Sequence, residues 1–243
     1  MQLLFPIRLT QPACAGRSGG VLLLLLLATS ACGQSSLPVV DGVDGRALRL
    51  QSRQLLDALA KAKAQLPKET ERELRNLVSD DKETPDEAAV ERIQKLLNAQ
   101  CLIGVSINPE SRVKAARGPH SAELVADKES CFLIRVLNEA GVTHPLSVQI
   151  PQMHAPGDSN KQGWLEACVC DLSLSHSGEG KKKTVAKQES EKLSGQKVEY
   201  LLLRLKAHEG GKREATLIFD VGQGTQDLGF RAEVPILFTI KKE

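Results

Sequence analysis

Apolar positions along the chain pass through three regimes: an unbroken run, a period near 3.6 residues, then a period of two. The unbroken run is Val21 to Ala28. It is about half the ~20 apolar residues that a membrane-crossing helix needs. Arg8 and Arg17 precede it, small residues close it, and no acidic residue occurs before Asp41. A basic start, a short apolar stretch and a small-residue end are the pattern of a secretory signal that is removed after export.

The helical regime covers residues 47–100. Leu48, Leu55, Leu59, Ala62 and Leu66 share one face of a helix that Pro67 stops. A second segment, Lys68 to Ser79, gathers Leu74, Leu77 and Val78. Thr84-Pro85-Asp86-Glu87 predicts a third start, with Thr84 capping and Pro85 in the first helical position. Ala89, Ile93, Leu96 and Leu97 supply its apolar face. The abundance of Lys, Glu and Arg here reads as an amphipathic stalk or helical hairpin.

At Cys101 the period becomes two. Leu102 to Ile107 reads as a strand ended by Asn108-Pro109, and Cys131 to Asn138 as another. Further strands are predicted at Leu146 to Ile150, Trp164 to Leu174, Val198 to Ala207, Ala215 to Val221 and Val234 to Ile240. His208-Glu209-Gly210-Gly211-Lys212 reads as a hairpin turn between two of them. About seven strands without helix alternation predict a mainly β fold over 101–243, an antiparallel immunoglobulin-like β-sandwich.

The end of the signal refines the address. Ala28-Thr29-Ser30-Ala31-Cys32 resembles a lipobox, with Thr29 where Leu is usual. Lipidation of Cys32 would make it the mature amino terminus, and several acyl chains anchor firmly at about 0.8 kcal/mol per buried CH₂. The alternative is an ordinary cleaved signal with Cys32 present by chance. The expected organisation is a signal over 1–32, a linker over 33–46, then the helical region and the sandwich. The expected location is extracytoplasmic, on a bacterial envelope membrane or secreted.

Without the signal about 210 residues remain, enough for one domain and a helical appendage. The 32 basic and 30 acidic residues nearly cancel, so a nucleic-acid partner with its basic face is not expected. Lys181-Lys182-Lys183 lies among Ser and Gly and reads as a solvated loop. One Trp and one Tyr leave little material for the aromatic platforms that bind sugars or bases. Export permits disulfides among Cys101, Cys131, Cys168 and Cys170, with three connectivities open.

Candidate chemistry is sparse. Asp220 to Gly229 holds three glycines and two aspartates, but it lacks the Gly-Lys-Ser/Thr of a phosphate loop and the spaced carboxylates of a calcium loop. A glycine-rich connection between strands is the simpler reading. Cys168 and Cys170 share one face of a strand, which continues as Leu172 and Leu174; both are expected to face the core and not to pair with each other. His120, His144, His154, His176 and His208 never fall at ligand spacing. No Gly-x-Ser-x-Gly nucleophile elbow occurs. Asn108 to Arg112 and Asn138 to Val142 read as polar turns, and Trp164 as a core anchor. No catalytic residue, metal site or cofactor is expected.

Three strings, GVSINPESRVKAARGP (104–119), FLIRVLNEAGVTHPL (132–146) and GKREATLIFDVGQGTQDLGFRAEVPILFTI (211–240), resemble the amino-terminal β-rich region of large secreted bacterial proteins. Those proteins carry, further on, a metallohydrolase domain of the polymerase-and-histidinol-phosphatase type. The resemblance spans residues 90–240 and reaches none of that domain's histidine-rich metal ligands, so it transfers no catalytic residue. It implies an accessory domain standing alone, either an accessory subunit or a remnant of a secreted metallohydrolase. The expected function is therefore a non-enzymatic, membrane-tethered interaction or scaffold domain whose partner is an envelope protein.

Overall fold

The structure, a computed structural model, describes residues 36–79, 85–151, 163–170, 192–222 and 230–242. Cys32 and the lipobox lie outside the described residues. Among the described residues strand outweighs helix, 41% against 26%, a mainly β fold, as the period-two regime predicts.

Among the described residues three helices come first: α1 (Gly45–Lys61), α2 (Lys68–Ser79) and α3 (Glu87–Asn98). Asp44 caps α1, accepting the Arg46 and Ala47 N–H groups at 2.9 and 3.1 Å. The helix ends before the predicted Leu66. Lys63 adopts a left-handed φ of 54°, and the Lys63 and Ala64 N–H groups return to the Ala60 and Leu59 carbonyls. That 5→2 and 6→1 pair is a Schellman motif with Lys in the position glycine usually takes. The third start also differs from expectation. Asp86, not Thr84, is the N-cap, its Oδ1 accepting the Ala89 N–H at 2.8 Å; Thr84 lies outside the described residues. The later start turns Val90 inward with Ile93 and Leu97, and leaves Ala89 only half-buried.

Among the described residues nine strands follow: β1 (Cys101–Ile107), β2 (Val113–Arg117), β3 (Glu123–Val125), β4 (Glu129–Asn138), β5 (Ser147–Gln149), β6 (Leu165–Cys170), β7 (Val198–Ala207), β8 (Gly211–Asp220) and β9 (Arg231–Lys241). They form a five-stranded sheet, β2-β1-β4-β7-β6, and a four-stranded sheet, β3-β9-β8-β5. The expectation of purely antiparallel pairing is overturned: β1 runs parallel to β4, and β3 parallel to β9. The cause is connectivity. After β2 the chain leaves the first sheet, forms β3 in the second, and re-enters beside β1 in the same direction.

The predicted hairpin at 208–212 is corrected too. β7 pairs with β4 and β6, whereas β8 pairs with β9 and β5, so this connection carries the chain from one sheet to the other. Gly211 sits at its corner with φ 110°, a conformation that an L side chain rarely adopts. β2 lies against β9 and β5 against β6, so the two sheets curl toward each other at both margins.

Strict alternation sorts the side chains. The inward residues of both sheets share one hydrophobic cluster, including Ile103, Val105, Ile134, Leu203, Leu205, Leu217, Phe219, Ile236 and Phe238. The opposite face of the five-stranded sheet contributes Leu133, Val198, Tyr200 and Leu202 to a second cluster with Leu48, Leu55, Leu59, Leu74, Ile93 and Leu97 of the helices. The helices therefore form a layer on that sheet instead of a stalk. Each fully buried Leu there contributes about 1.5–3 kcal/mol relative to exposure.

The stretch read as a linker is docked where it is described. Gln94 both donates to the Val40 carbonyl (2.9 Å) and accepts its N–H (3.1 Å). Asn98 Nδ2 donates to the Leu37 and Pro38 carbonyls at 3.2 and 3.3 Å. Asn98 Oδ1 accepts the hydroxyl of the fully buried Tyr200 at 2.8 Å. One side chain thus ties the incoming chain, α3 and β7 together.

Candidate functional site

The helical layer does not cover the whole outer face of the five-stranded sheet, and its margin holds the densest chemistry of the described residues. On β7 the outward side chains run Val198, Tyr200, Leu202, Arg204. Up to Leu202 the helices lie over them. Arg204 lies beyond the described helices, and the register places Cys131 of β4 on one side of Arg204 and Cys168 of β6 on the other. Cys170 follows beside Leu202.

Cys168 and Cys170 do not face the inter-sheet core, contrary to expectation. Leu165, Ala167 and Val169 fill that side of β6, and the two cysteines project to the opposite face, where Cys170 touches the helix-side cluster. The strand carries apolar residues on both faces, and a one-residue slip exchanges every side chain between them. Charged Glu166, on the cysteine face, was the signal in the sequence that this face is the outer one.

All four described cysteines are free thiols. Cys101 is fully buried and donates its thiol to the Leu97 carbonyl at 3.2 Å; burial pushes it far above the usual thiol range. Cys131 is half-buried and also pushed up, by burial first. The Cys168 and Cys170 sulfurs lie 3.4 Å apart, one thiol donating to the other. That hydrogen bond, with a smaller contribution from the Arg204 charge, brings Cys168 down to about 7, while Cys170 as the donor is pushed up. Glu129 sits 3.7 Å from Arg204 Nε and balances part of the guanidinium charge.

The sheet register also decides which thiols can meet. Adjacent strands lie about 4.8 Å apart. Cys131 and Cys168 are separated by β7, hence by about 9.6 Å, beyond the ~7 Å Cα limit of a disulfide. Cys101 pairs across to Leu133, two residues from Cys131, a diagonal of about 8 Å. Cys168 and Cys170, expected from the sequence not to pair, are about 6.6 Å apart along an extended strand, just inside the upper edge of the range, with their sulfurs 3.4 Å apart.

The other sequence candidates are structural. Asp220 Oδ1 accepts the Gly222 N–H at 2.7 Å and its Oδ2 accepts Arg231 Nε at 2.9 Å. It is thereby used in the turn and an ion pair; Asp227 lies outside the described residues. Asn108 Oδ1 braces its turn through the Glu110 and Arg112 N–H groups, and Asn138 through both backbone groups of Val142. Trp164 packs edge-on to Phe238 beneath Arg213. His208 lies within 3.2 Å of Asp127 and 3.0 Å of Glu166. Among the described residues no group of three or more His, Cys, Asp or Glu side chains is placed to hold a metal ion.

The outer face of the four-stranded sheet is the second feature. Along β8 and β9 it presents Thr216, Ile218, Pro235 and Leu237, with Glu214 directly across from Leu237 and Glu233 across from Ile218; Leu237 is 59% exposed. Ion pairs rim it, Arg231–Asp220 at 2.9 Å and Lys241–Glu123 at 2.6 Å. Compared with known proteins, the chain matches no family, and no curated protein is similar to it.

Proposed function

We propose that this chain is an exported, lipid-tethered and non-catalytic interaction module, an immunoglobulin-like sandwich backed by helices, that presents its four-stranded sheet to an envelope protein. The observation that carries the reading is the asymmetry of the two outer faces. Three helices lie on one sheet; the other exposes Leu237 and Pro235, flanked by Glu214, Glu233 and the ion pairs Arg231–Asp220 and Lys241–Glu123. An apolar centre with a polar rim is the anatomy of a protein interface. The inter-sheet core supports the sandwich assignment, since alternate residues of both sheets meet in it.

The tether rests on the basic start, the apolar run and Cys32. Because Leu37 is already held by Asn98, the residues from Cys32 to Leu37 span at most about 18 Å. An acylated Cys32 would therefore keep the module close to the membrane surface, which favours a partner in or on that membrane.

Intact-mass measurement of membrane-fraction protein, beside a Cys32→Ala variant, tests the tether. The expected mature chain begins at Cys32 with added acyl mass, and the variant lacks that mass. A soluble, unmodified chain sinks the tether. A photo-crosslinking residue at position 237, compared with one at exposed Leu50 on α1, tests the face. A discrete adduct at 237 alone is expected, and equal labelling at both positions removes the assignment.

A further inference from the structure

We propose that Cys168 and Cys170 form a dithiol–disulfide redox pair that is oxidised by a low-molecular-weight disulfide, with Cys168 as the attacking sulfur and Arg204 as the cation that holds its thiolate. This adds a redox site to the interaction module and does not depend on the tether. The geometry is that of a pair: two sulfurs already in contact at 3.4 Å, on a margin of the sheet that the described helices do not cover, with Cys131 and Cys101 too far away to compete. Half-burial of both thiols admits a small disulfide more readily than a folded one.

The exchange balances without any further reagent. The Cys168 thiolate attacks one sulfur of the small disulfide; a new S–S bond forms, the old one breaks, and the departing thiolate takes the proton that Cys168 released. Cys170 then loses its proton and attacks the Cys168 sulfur. The second small thiolate leaves and takes up that proton. Two electrons and two protons pass from the dithiol to the disulfide, which becomes two thiols. A bond closed across about 6.6 Å of extended strand lies at the limit of disulfide geometry, so it is readily reversed, as labile rather than structural disulfides are.

The test is made on the purified, reduced mature protein incubated with oxidised glutathione. Accessible thiols are then alkylated, the chain is unfolded and reduced, and newly released thiols are marked with a second reagent. Cys168 and Cys170 should carry the second mark after treatment and the first mark once reduced glutathione is restored, while Cys131 carries the first mark throughout. In Cys170→Ser, a glutathione adduct should accumulate on Cys168. The alkylation rate of Cys168 against pH provides a readout that needs no cysteine variant. In Arg204→Met the Cys168 profile should move to higher pH and its alkylation at pH 7 should slow, since the guanidinium charge lowers the thiol alongside the larger effect of the Cys170 hydrogen bond; Arg204→Lys should restore most of the rate. Wild-type protein in which both cysteines stay open to the first reagent, or in which Cys168 keeps its glutathione adduct, overturns the proposal. So does an Arg204→Met profile that superimposes on wild type.

Discussion

Removing one oxygen atom at Tyr200 tests how the layers are joined. Its ring is fully buried between β4, β7 and the helices, and its hydroxyl donates to Asn98 Oδ1 at 2.8 Å. Asn98 in turn holds the incoming chain through Leu37 and Pro38. Tyr200→Phe keeps the apolar burial and deletes only the donor. A net hydrogen bond is worth about 0.5–1.5 kcal/mol, and leaving a buried acceptor without a partner costs about 1–3 kcal/mol. These overlap, so about 2 kcal/mol is expected. With a urea m-value of about 2 kcal/mol/M for a domain of this size, the midpoint should fall by about 1 M. Two probes follow the transition: far-ultraviolet circular dichroism, weighted to the helices, and fluorescence of Trp164, on the far side of the five-stranded sheet. Because helices and sheet share a core, both midpoints should move together by the same amount. A shift below about 0.2 M would refute the role of the hydroxyl, and separated midpoints would refute the joint core.

Three other substitutions have definite expected outcomes. Glu199 is buried, accepts the Ser194 N–H at 2.7 Å and is pushed above its ordinary value of 4.5 chiefly by burial. The fold therefore favours its neutral form more than the unfolded chain does; that stabilisation is complete below 4.5 and is lost as pH rises through the raised folded value. Glu199→Gln should abolish that loss, so the urea midpoints of variant and wild type should diverge progressively as pH rises; parallel curves would exclude it. Lys63→Gly relieves a left-handed backbone at the end of α1 and should raise stability by about 0.5–1 kcal/mol, read as a higher midpoint; no gain would mean the Schellman geometry is not the native one. A Cβ on Gly118 would sit 2.2 Å from the Cys101 carbonyl oxygen, and backbone cannot yield as a side chain does. Gly118→Ala should cost about 3 kcal/mol or more, checked by soluble yield and melting temperature.

The elements that could be read from the sequence are those whose apolar residues are numerous or regularly spaced. The Lys68–Ser79 helix and the Val198–Ala207 strand are recovered at their predicted bounds: Leu74 and Val78 mark one face of the helix, and β7 is an apolar run buried on both faces, Leu201, Leu203 and Leu205 toward one cluster and Val198, Tyr200 and Leu202 toward the other. β2 and β3 escaped because they are short: Val113, Ala115 and Ala116 are the apolar residues of one, Leu124 and Val125 those of the other. Sheet membership escaped for a different reason. A chain reversal around Gly210 and Gly211 looks the same locally whether the next strand pairs with the last or crosses over it. Only the partners of β7, supplied from β4 and from β6, decide between the two.

The same argument explains the one site that sequence reasoning turned the wrong way. Around β6 the residues Leu165, Ala167 and Val169 compete with Cys168, Cys170, Leu172 and Leu174 for the core, and a tally of apolar residues favours the second set. Charge breaks the tie. Glu166 belongs with the cysteines, and a carboxylate is rarely buried without a partner; the set that contains it must face outward. Once it does, β7 places Arg204 across from Cys168 and the helical layer stops at Leu202, so the thiols sit beside a cation at an open margin. Chemistry at this site therefore follows from the facing of one strand, and a single slip of register would have buried both sulfurs and left them inert.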